Sequence, residues 1–485
     1  MPVSLFLISV RSARHCFSDL LNFQRRASQV LERIFRALGS SSTPLKRTTP
    51  AQVLVVGFAV VILIGTLLLS LPLASSSGRA TGFVDSLFTA TTAVCVTGLV
   101  VVDTGTYWSL FGQLVILLLI QIGGLGFMTL STMVALFLGR KIGLKERLVI
   151  QESLGQLSLE GMVRLILAVL AVTSVFQGIG FLILGIHFSR DFGLLRGLYY
   201  GLFHSVSAFC NAGIDLFGGF QSLTSFAADP VVLLTISLLI VFGGLGFAVI
   251  VDLMHLRRSR HLVLHSRLAL LVTAILLFLG TVGIFVLEYG NPHTLGSMGG
   301  GQKLLNAWFG AVSPRTAGFS SLALDKMLPG SLFLIMVLMF IGASPGSTGG
   351  GIKTTTFGVI MATLWALISG KDDLVLFGRK VPVLNIIKGF CVVFAALLLV
   401  VGITFFLTLT EKADFLPLLF EVISAFGTVG LSTGITPSLS PLGKLFLVIT
   451  MFAGRVGPLT IATALGRRRR TPPAIHYPEE RVTVG

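Results

Sequence analysis

Four short segments interrupt an otherwise apolar chain, and all four do so in the same way. Each is an apolar run that ends in a glycine-bearing turn: Phe88 to Leu99, Phe203 to Ile214, Trp308 to Phe319 and Phe420 to Leu431. Aligned on Gly98, Gly213, Gly318 and Gly430, each has an aromatic residue ten positions upstream, at Phe88, Phe203, Trp308 and Phe420. The glycines recur at intervals of 115 residues (98 to 213), 105 (213 to 318) and 112 (318 to 430). Around them the long apolar runs sort into four pairs of expected spans: 51–73 with 109–138, 162–186 with 231–252, 268–287 with 331–368, and 387–409 with 441–465. Runs beyond about 18 apolar residues are long enough to cross a bilayer as helices. Each pair encloses one glycine-bearing segment too short to cross. Such a segment reads as a re-entrant half-helix, tolerated at membrane depth where it lines a polar cavity or is buried in protein.

The pattern predicts an all-α membrane protein of four tandem span–pore-helix–span repeats around a pseudo-fourfold pore. Composition agrees: 54% of the 485 residues are hydrophobic and 12% charged, about half the charged fraction of a soluble domain. The mean hydropathy is +0.93. The net charge is +16, and its placement excludes a nucleic-acid partner. The basic residues fall in the loops joining one pair to the next: Arg140, Lys141, Lys145 and Arg147; Arg257, Arg258, Arg260 and Arg267; Lys371, Arg379, Lys380 and Lys388; then Arg467 to Arg470. The side that carries them is expected to be cytoplasmic, with both termini inside. The opposite face collects acids, among them Asp85, Asp103, Asp215, Asp229, Glu288 and Glu411, a vestibule that would concentrate cations.

The expected division is a basic N-terminal segment over 1–50, pore repeats over 51–139, 140–256, 257–370 and 371–466, and a cytoplasmic tail over 467–485. Residues 11–47 interleave arginines with Leu20, Leu21, Phe23, Val30, Leu31, Ile34 and Phe35. They read either as an amphipathic helix on membrane lipid or as a basic tail. No cleavable signal peptide is recognisable, since the apolar stretch Val3 to Val10 precedes its basic residues. Cys16, Cys95, Cys210 and Cys391 form no CxxC motif, so reduced thiols are expected.

The turns carry the chemistry. The candidate ion-binding residues are Cys95, Val96, Thr97 and Gly98; Cys210, Asn211, Ala212 and Gly213; Arg315, Thr316, Ala317 and Gly318; and Gly427, Thr428, Val429 and Gly430. A dehydrated cation at membrane depth costs tens of kcal/mol unless polar groups replace its water. Backbone carbonyls from four extended turns can do so, glycine permits the conformation that presents them, and half-helix C-terminal ends add negative potential.

A second motif sits in the second span of each repeat: IGGLGF (122–127), FGGLGF (242–247), IGASPG (341–346) and FAGRVG (452–457). The first two read as close helix packing on small residues. The third opens a stretch that cannot stay helical: Gly342, Ala343, Ser344, Pro345, Gly346, Ser347, Thr348, Gly349, Gly350 and Gly351, running on to Lys353. An unwound stretch in mid-membrane must line a cavity, which makes 342–356 a candidate gate. Arg455, too far from a helix end to snorkel, is expected either to repel cations or to bond loop carbonyls; Lys353 is either functional or a snorkelling cation. Arg315 is expected behind the turn, with Glu421 a conceivable partner. His187, His204, His255, His261 and His265 lack ligand spacing and read as loop or interface residues, with His204, inside the second pore helix, either a titrating group or a hydrogen-bonded structural residue, the latter preferred.

The segments TAVCVTGL, SAFCNAGI, SPRTAGF and SAFGTVGLS resemble the four filter signatures of the Trk/Ktr/HKT superfamily of potassium transporters, over nearly all of residues 50–485. Eight spans and the ending PEERVTVG are most similar to the Ktr type. The resemblance implies a bacterial inner-membrane protein that carries potassium, with each turn giving one quarter of a selectivity filter and Gly98, where sodium-passing members have serine, implying potassium preference. It also implies an intramembrane gate at 342–353, a homodimer with one pore per chain, and a cytoplasmic RCK-type nucleotide-binding ring, so that any nucleotide sits on the partner and the chain binds no cofactor beyond transported K+. Two other readings stay open: a symporter coupling potassium to sodium or protons, and a membrane enzyme cradling phosphate with Gly346–Thr354, whose glycine spacing departs from the phosphate-loop pattern.

Overall fold

A computed structural model describes residues 49–126, 129, 148, 162–259, 261–371 and 373–465. The N-terminal basic segment, most of the loop holding Arg140 to Arg147, and the tail from 466 lie outside the described residues.

Among the described residues, four helices are long and apolar enough to cross a membrane: α1 (Pro50–Ser70), α4 (Met162–Phe192), α8 (Leu264–Glu288) and α12 (Val383–Thr410). Each opens one repeat. A shorter pore helix follows in each: α2 (Phe83–Val94), α5 (Leu194–Phe209), α9 (Gly300–Val312) and α13 (Phe415–Gly427). A second helix then follows the turn: α3 (Leu110–Leu125), α6 (Pro230–Leu245), α10 (Pro329–Phe340) and α14 (Pro441–Val456). Three of these starts are written in the sequence. Ser109 accepts from the Gly112 N–H, Asp229 from those of Val231 and Val232, and Ser440 from that of Gly443. Proline at the first turn adds to two of them, where its missing N–H costs nothing.

The repeats interlock in a cycle. The second helix of each packs on the pore helix of the next: α3 on α5, α6 on α9, α10 on α13, and α14 back on α2. With lipid outside, close packing rather than water expulsion holds such helices together. Glycines make it possible. A Cβ on Gly123 would run into the Val94 carbonyl, one on Gly243 into that of Phe209, and one on Gly454 into that of Phe426. Large apolar side chains such as Phe394, Val401 and Phe405 of α12 face outward instead, as a lipid-facing surface requires.

The expectation that only the third repeat breaks its second span is corrected. Three of the second helices end at glycines that lie three residues on from Gly123, Gly243 and Gly454, while α10 ends earlier still, at Phe340. Gly126, Gly246 and Gly457 adopt left-handed backbone at φ 80°, 91° and 92°, and the third repeat has Pro345 at the equivalent place. After the glycine the chain turns by 96° into α7 (Phe247–Ser259) in the second repeat, and by 91° into a short helix, Pro458–Leu465, in the fourth. The expected spans 231–252 and 441–465 are therefore bent, and 331–368 is two helices, α10 and α11 (Thr354–Ile368), with the loop between. The loop ends at Lys353, so 354–356 belongs to α11 and not to the candidate gate. The basic 371–388 connection also holds a two-stranded hairpin, β1 (Val375–Leu376) and β2 (Arg379–Lys380), turning on Phe377 and Gly378.

Candidate cation pathway

The four pore helices end at the four turns, and the turns close into a ring. A Cβ on Gly98 would meet the Ala212 carbonyl oxygen at 2.5 Å. Likewise Gly213 abuts the Ala317 oxygen, Gly318 that of Val429, and Gly430 that of Thr97. Each glycine lies against the carbonyl of the next repeat, and the fourth returns to the first. A side chain at any of these four places would force the neighbouring carbonyl to move.

The backbone of the ring is strained in one register. Val96, Asn211, Thr316 and Thr428, each two residues before its glycine, have φ of 49°, 58°, 73° and 50°. Left-handed backbone at such residues costs about 1–3 kcal/mol each and persists only where the surroundings over-determine it. Here hydroxyls hold it. Thr92 Oγ1 accepts from the Gly98 N–H at 2.9 Å, and Ser424 Oγ from the Gly430 N–H at 3.1 Å. Ser207 Oγ donates to the Ile214 carbonyl and accepts its N–H, while Ser313 Oγ donates to the Phe319 carbonyl. With the turn N–H groups engaged in this way, the carbonyls of Thr97, Ala212, Ala317 and Val429 accept no hydrogen bond among the described residues, though all four residues are fully buried. Buried carbonyls are nearly always paired, so a ring of four unpaired ones, set at the negative ends of four helices, is suited to a cation. The sequence reading passed over the four hydroxyls, although Thr92, Ser207, Ser313 and Ser424 open the four quoted signatures.

The 342–353 loop lies against the ends of the pore helices. The Ser344 and Thr348 N–H groups donate to the Gly244 and Gly243 carbonyls at 3.0 and 3.2 Å, and the Gly350 N–H donates to Thr428 Oγ1 at 3.0 Å. Ile341 and Ile352 pair as a parallel bridge that closes the loop's neck. Of the two roles weighed for Arg455, carbonyl bonding is the one seen. Its guanidinium donates to the Thr348 carbonyl of the loop and to the Gly123 and Gly124 carbonyls of α3. Lys353 Nζ donates inward to the Gly349 carbonyl at 2.7 Å rather than reaching away. A cavity of about 220 Å³ sits beside the loop among the broken helix ends, lined in part by Pro345, Ser347, Lys353 and Arg455. Arg315 and Glu421 do not meet. Arg315 Nη2 approaches the Gly342 carbonyl at 3.4 Å, and Glu421 accepts from Ser432 and Thr436. His204 is buried, with Nδ1 at 2.7 Å from the Tyr200 carbonyl and Nε2 accepting from the Leu216 N–H, as a structural histidine should be.

The acidic vestibule is narrower than composition suggests. Asp85 pairs with Lys444 at 2.8 Å, Asp229 with His187 and a helix cap, and Glu288 and Glu411 bond neighbouring N–H and hydroxyl groups. Asp215, two residues beyond Gly213, remains beside the ring with Asp103, which bonds Thr106 and the Gly219 N–H. Burial pushes the Asp215 carboxyl up to about 6, opposed by the Phe217 N–H and assisted by Asp103.

The four repeats of this multi-pass helical protein thus bring four unpaired carbonyls together in one buried ring. The family model for TrkH, described as a cation transport protein, matches residues 28–468, and the chain belongs to that family. It is 44% identical over 439 residues to Ktr system potassium uptake protein B of Bacillus subtilis (strain 168), covering 90% of this chain and 97% of that protein. It is 39% identical over 445 residues to potassium/sodium uptake protein NtpJ of Enterococcus hirae, covering 91% and 98%. The crystal structure of the potassium transporter TrkH from Vibrio parahaemolyticus matches with a TM-score of 0.62 at 18% identity, covering 84% of each chain, which establishes the fold alone. Membership of a transport family sets the phosphate-cradle enzyme reading aside.

Proposed function

We propose that the chain is the membrane subunit of a potassium-uptake system, in which K+ moves inward through the ring as a selectivity filter and past the 342–353 loop as a gate. The observation that carries this is the closed cycle of glycine-to-carbonyl contacts, with four buried oxygens left unpaired. The printed names of the relatives, potassium uptake proteins among them, support potassium as the ion. An inside-negative potential supplies about 2.3 kcal/mol per charge per 100 mV, so no fuel beyond the gradient is needed. Arg455 and Lys353 place positive charge beside the loop and bond its carbonyls, which holds it under the filter until a partner draws it away. The name Ktr system supports a partner, here read as a cytoplasmic RCK-type ring docking on the basic inner loops of a homodimer, with both termini on the cytoplasmic side of the inner membrane.

Flux in proteoliposomes tests the reading. Wild type is expected to pass K+ well above Na+, and Gly98→Ser to lose about tenfold of that ratio, or about 1.4 kcal/mol. A ratio untouched by the substitution contradicts the filter. A second reading, coupled entry of sodium, is favoured by the name of the Enterococcus relative. It predicts a reversal potential that moves with sodium at fixed potassium; an uncoupled pore with high selectivity does not show that.

A further inference from the structure

The ring and the loop are joined by side chains, and the joint is not fourfold. The residues two before the ring glycines are Val96, Asn211, Thr316 and Thr428. Val96 has no polar atom in its side chain. Of the other three, Asn211 and Thr316 are bonded to each other, and Thr316 and Thr428 each reach the loop. With its amide nitrogen turned to the Ala208 and Ile240 carbonyls, Asn211 accepts from Thr316 Oγ1 at 3.1 Å. A Cβ on Gly349 would collide with that same Thr316 hydroxyl, and one on Gly350 with that of Thr428. The Gly350 N–H donates to Thr428 Oγ1 at 3.0 Å in a buried bond.

Thr428 thus answers to two masters. Its backbone, at φ 50°, is one of the strained left-handed positions of the ring, and the next carbonyl, that of Val429, packs on Gly318. Its hydroxyl belongs to the loop. Moving the loop breaks the bond to Gly350 and removes one of the contacts that over-determine a costly backbone conformation. Movement of Thr428 in turn releases the loop. Coupling of this kind is reciprocal in free energy.

Building on the reading of ring as filter and loop as gate, we propose that Thr428 is a positioning residue that latches the gate to the filter, so that displacing the loop also loosens selectivity. The hydroxyl is the active part and the β-methyl is not.

The test compares wild type, Thr428→Ser and Thr428→Val in proteoliposomes, measuring K+ and Na+ flux without a regulatory partner. Thr428→Val keeps the shape and removes the hydroxyl. It is expected to raise K+ flux about twofold to tenfold, the range one buried hydrogen bond commands, and to lower the K+ over Na+ ratio with it. Thr428→Ser is expected to stay within about twofold of wild type, since the hydroxyl bond is retained. A role in packing alone lowers flux in both variants and raises it in neither. If Thr428→Val is not monodisperse after purification, Thr428→Ala takes its place. Flux and selectivity equal to wild type in the hydroxyl-free variant, or a rise in flux with selectivity unchanged, overturns the latch. Absence of selective K+ flux in wild type overturns instead the filter reading on which it rests.

Discussion

A left-handed backbone at a β-branched residue is an expensive choice, and this chain makes it at Val96, Thr316 and Thr428 in one register, with Asn211 completing the set. The cost is recovered by what the conformation exposes, since a regular helix would have used those carbonyls internally. The glycines that follow are irreplaceable for a second reason: there is no room. Gly430→Ala drives a Cβ into the Thr97 carbonyl oxygen and also demands φ 91° of alanine. It is expected to abolish K+ flux and to lower stability by about 1–3 kcal/mol, read as a drop in melting temperature of the detergent-solubilised protein. A preserved melting temperature and flux would contradict the packing seen here. Beside the ring, Asp215 carries charge only above its raised pKa of about 6. A carboxyl raised by folding leaves stability intact below its ordinary value of 3.8, and that stability is lost as pH rises from there through about 6, so at neutral pH the chain holds this acid ionised at a cost, in exchange for negative charge beside the ring. Lowering the external pH from 7.5 to 5 is expected to cut uptake at subsaturating K+ by about twofold as this charge is lost, and Asp215→Asn to flatten that dependence. An unchanged pH profile in the variant would remove Asp215 from the pathway.

At the scale of elements, the second helices show how a common sequence feature can hide a structural one. Glycine is frequent in membrane helices, so IGGLGF and FGGLGF read as packing surfaces, and the first glycine of each does pack. The third, Gly126 or Gly246, breaks the helix. Periodicity could not separate the two roles, because a break followed by more apolar residues leaves hydropathy unchanged. The separating signal was alignment: counted three residues on from Gly123, Gly243, Gly342 and Gly454, the residues Gly126, Gly246, Pro345 and Gly457 share one register. The breaks matter because Arg455 rests on the carbonyls that the first break sets free, those of Gly123 and Gly124, while also bonding Thr348 of the loop. Hydrogen bonds from a charged donor are worth about 1.5–3 kcal/mol each. Arg455→Ala is therefore expected to raise partner-free K+ flux more than Thr428→Val does, and Arg455→Lys, unable to span three carbonyls, to lie between wild type and alanine. Flux through Arg455→Ala at or below the wild-type value, in a protein that still folds, would show that the guanidinium does not hold the loop.

At the scale of the molecule, fourfold order and its violations divide the work. The four repeats were legible in the sequence because each carries the same aromatic-to-glycine spacing and the same flanking apolar runs, and those features are set by the membrane and by the ring. The cycle of contacts was not legible. It depends on which carbonyl meets which glycine across 105 to 115 residues of chain, and nothing local encodes that. The hydroxyls at Thr92, Ser207, Ser313 and Ser424 were visible as letters but not as a role, since serine and threonine in membrane helices most often bond their own helix. Where the repeats differ, at the unwound third and at the arginine of the fourth, the sequence did point to the loop, though not to its anchorage on Gly243 and Thr428. The central claim is that the four unpaired carbonyls hold the transported ion. Crystals grown with rubidium or thallium in place of potassium test it directly by anomalous scattering. The account predicts a peak on the axis between the carbonyls of Thr97, Ala212, Ala317 and Val429, lost in Gly98→Ser crystals. A cation found elsewhere in the protein, with that ring empty, would contradict it.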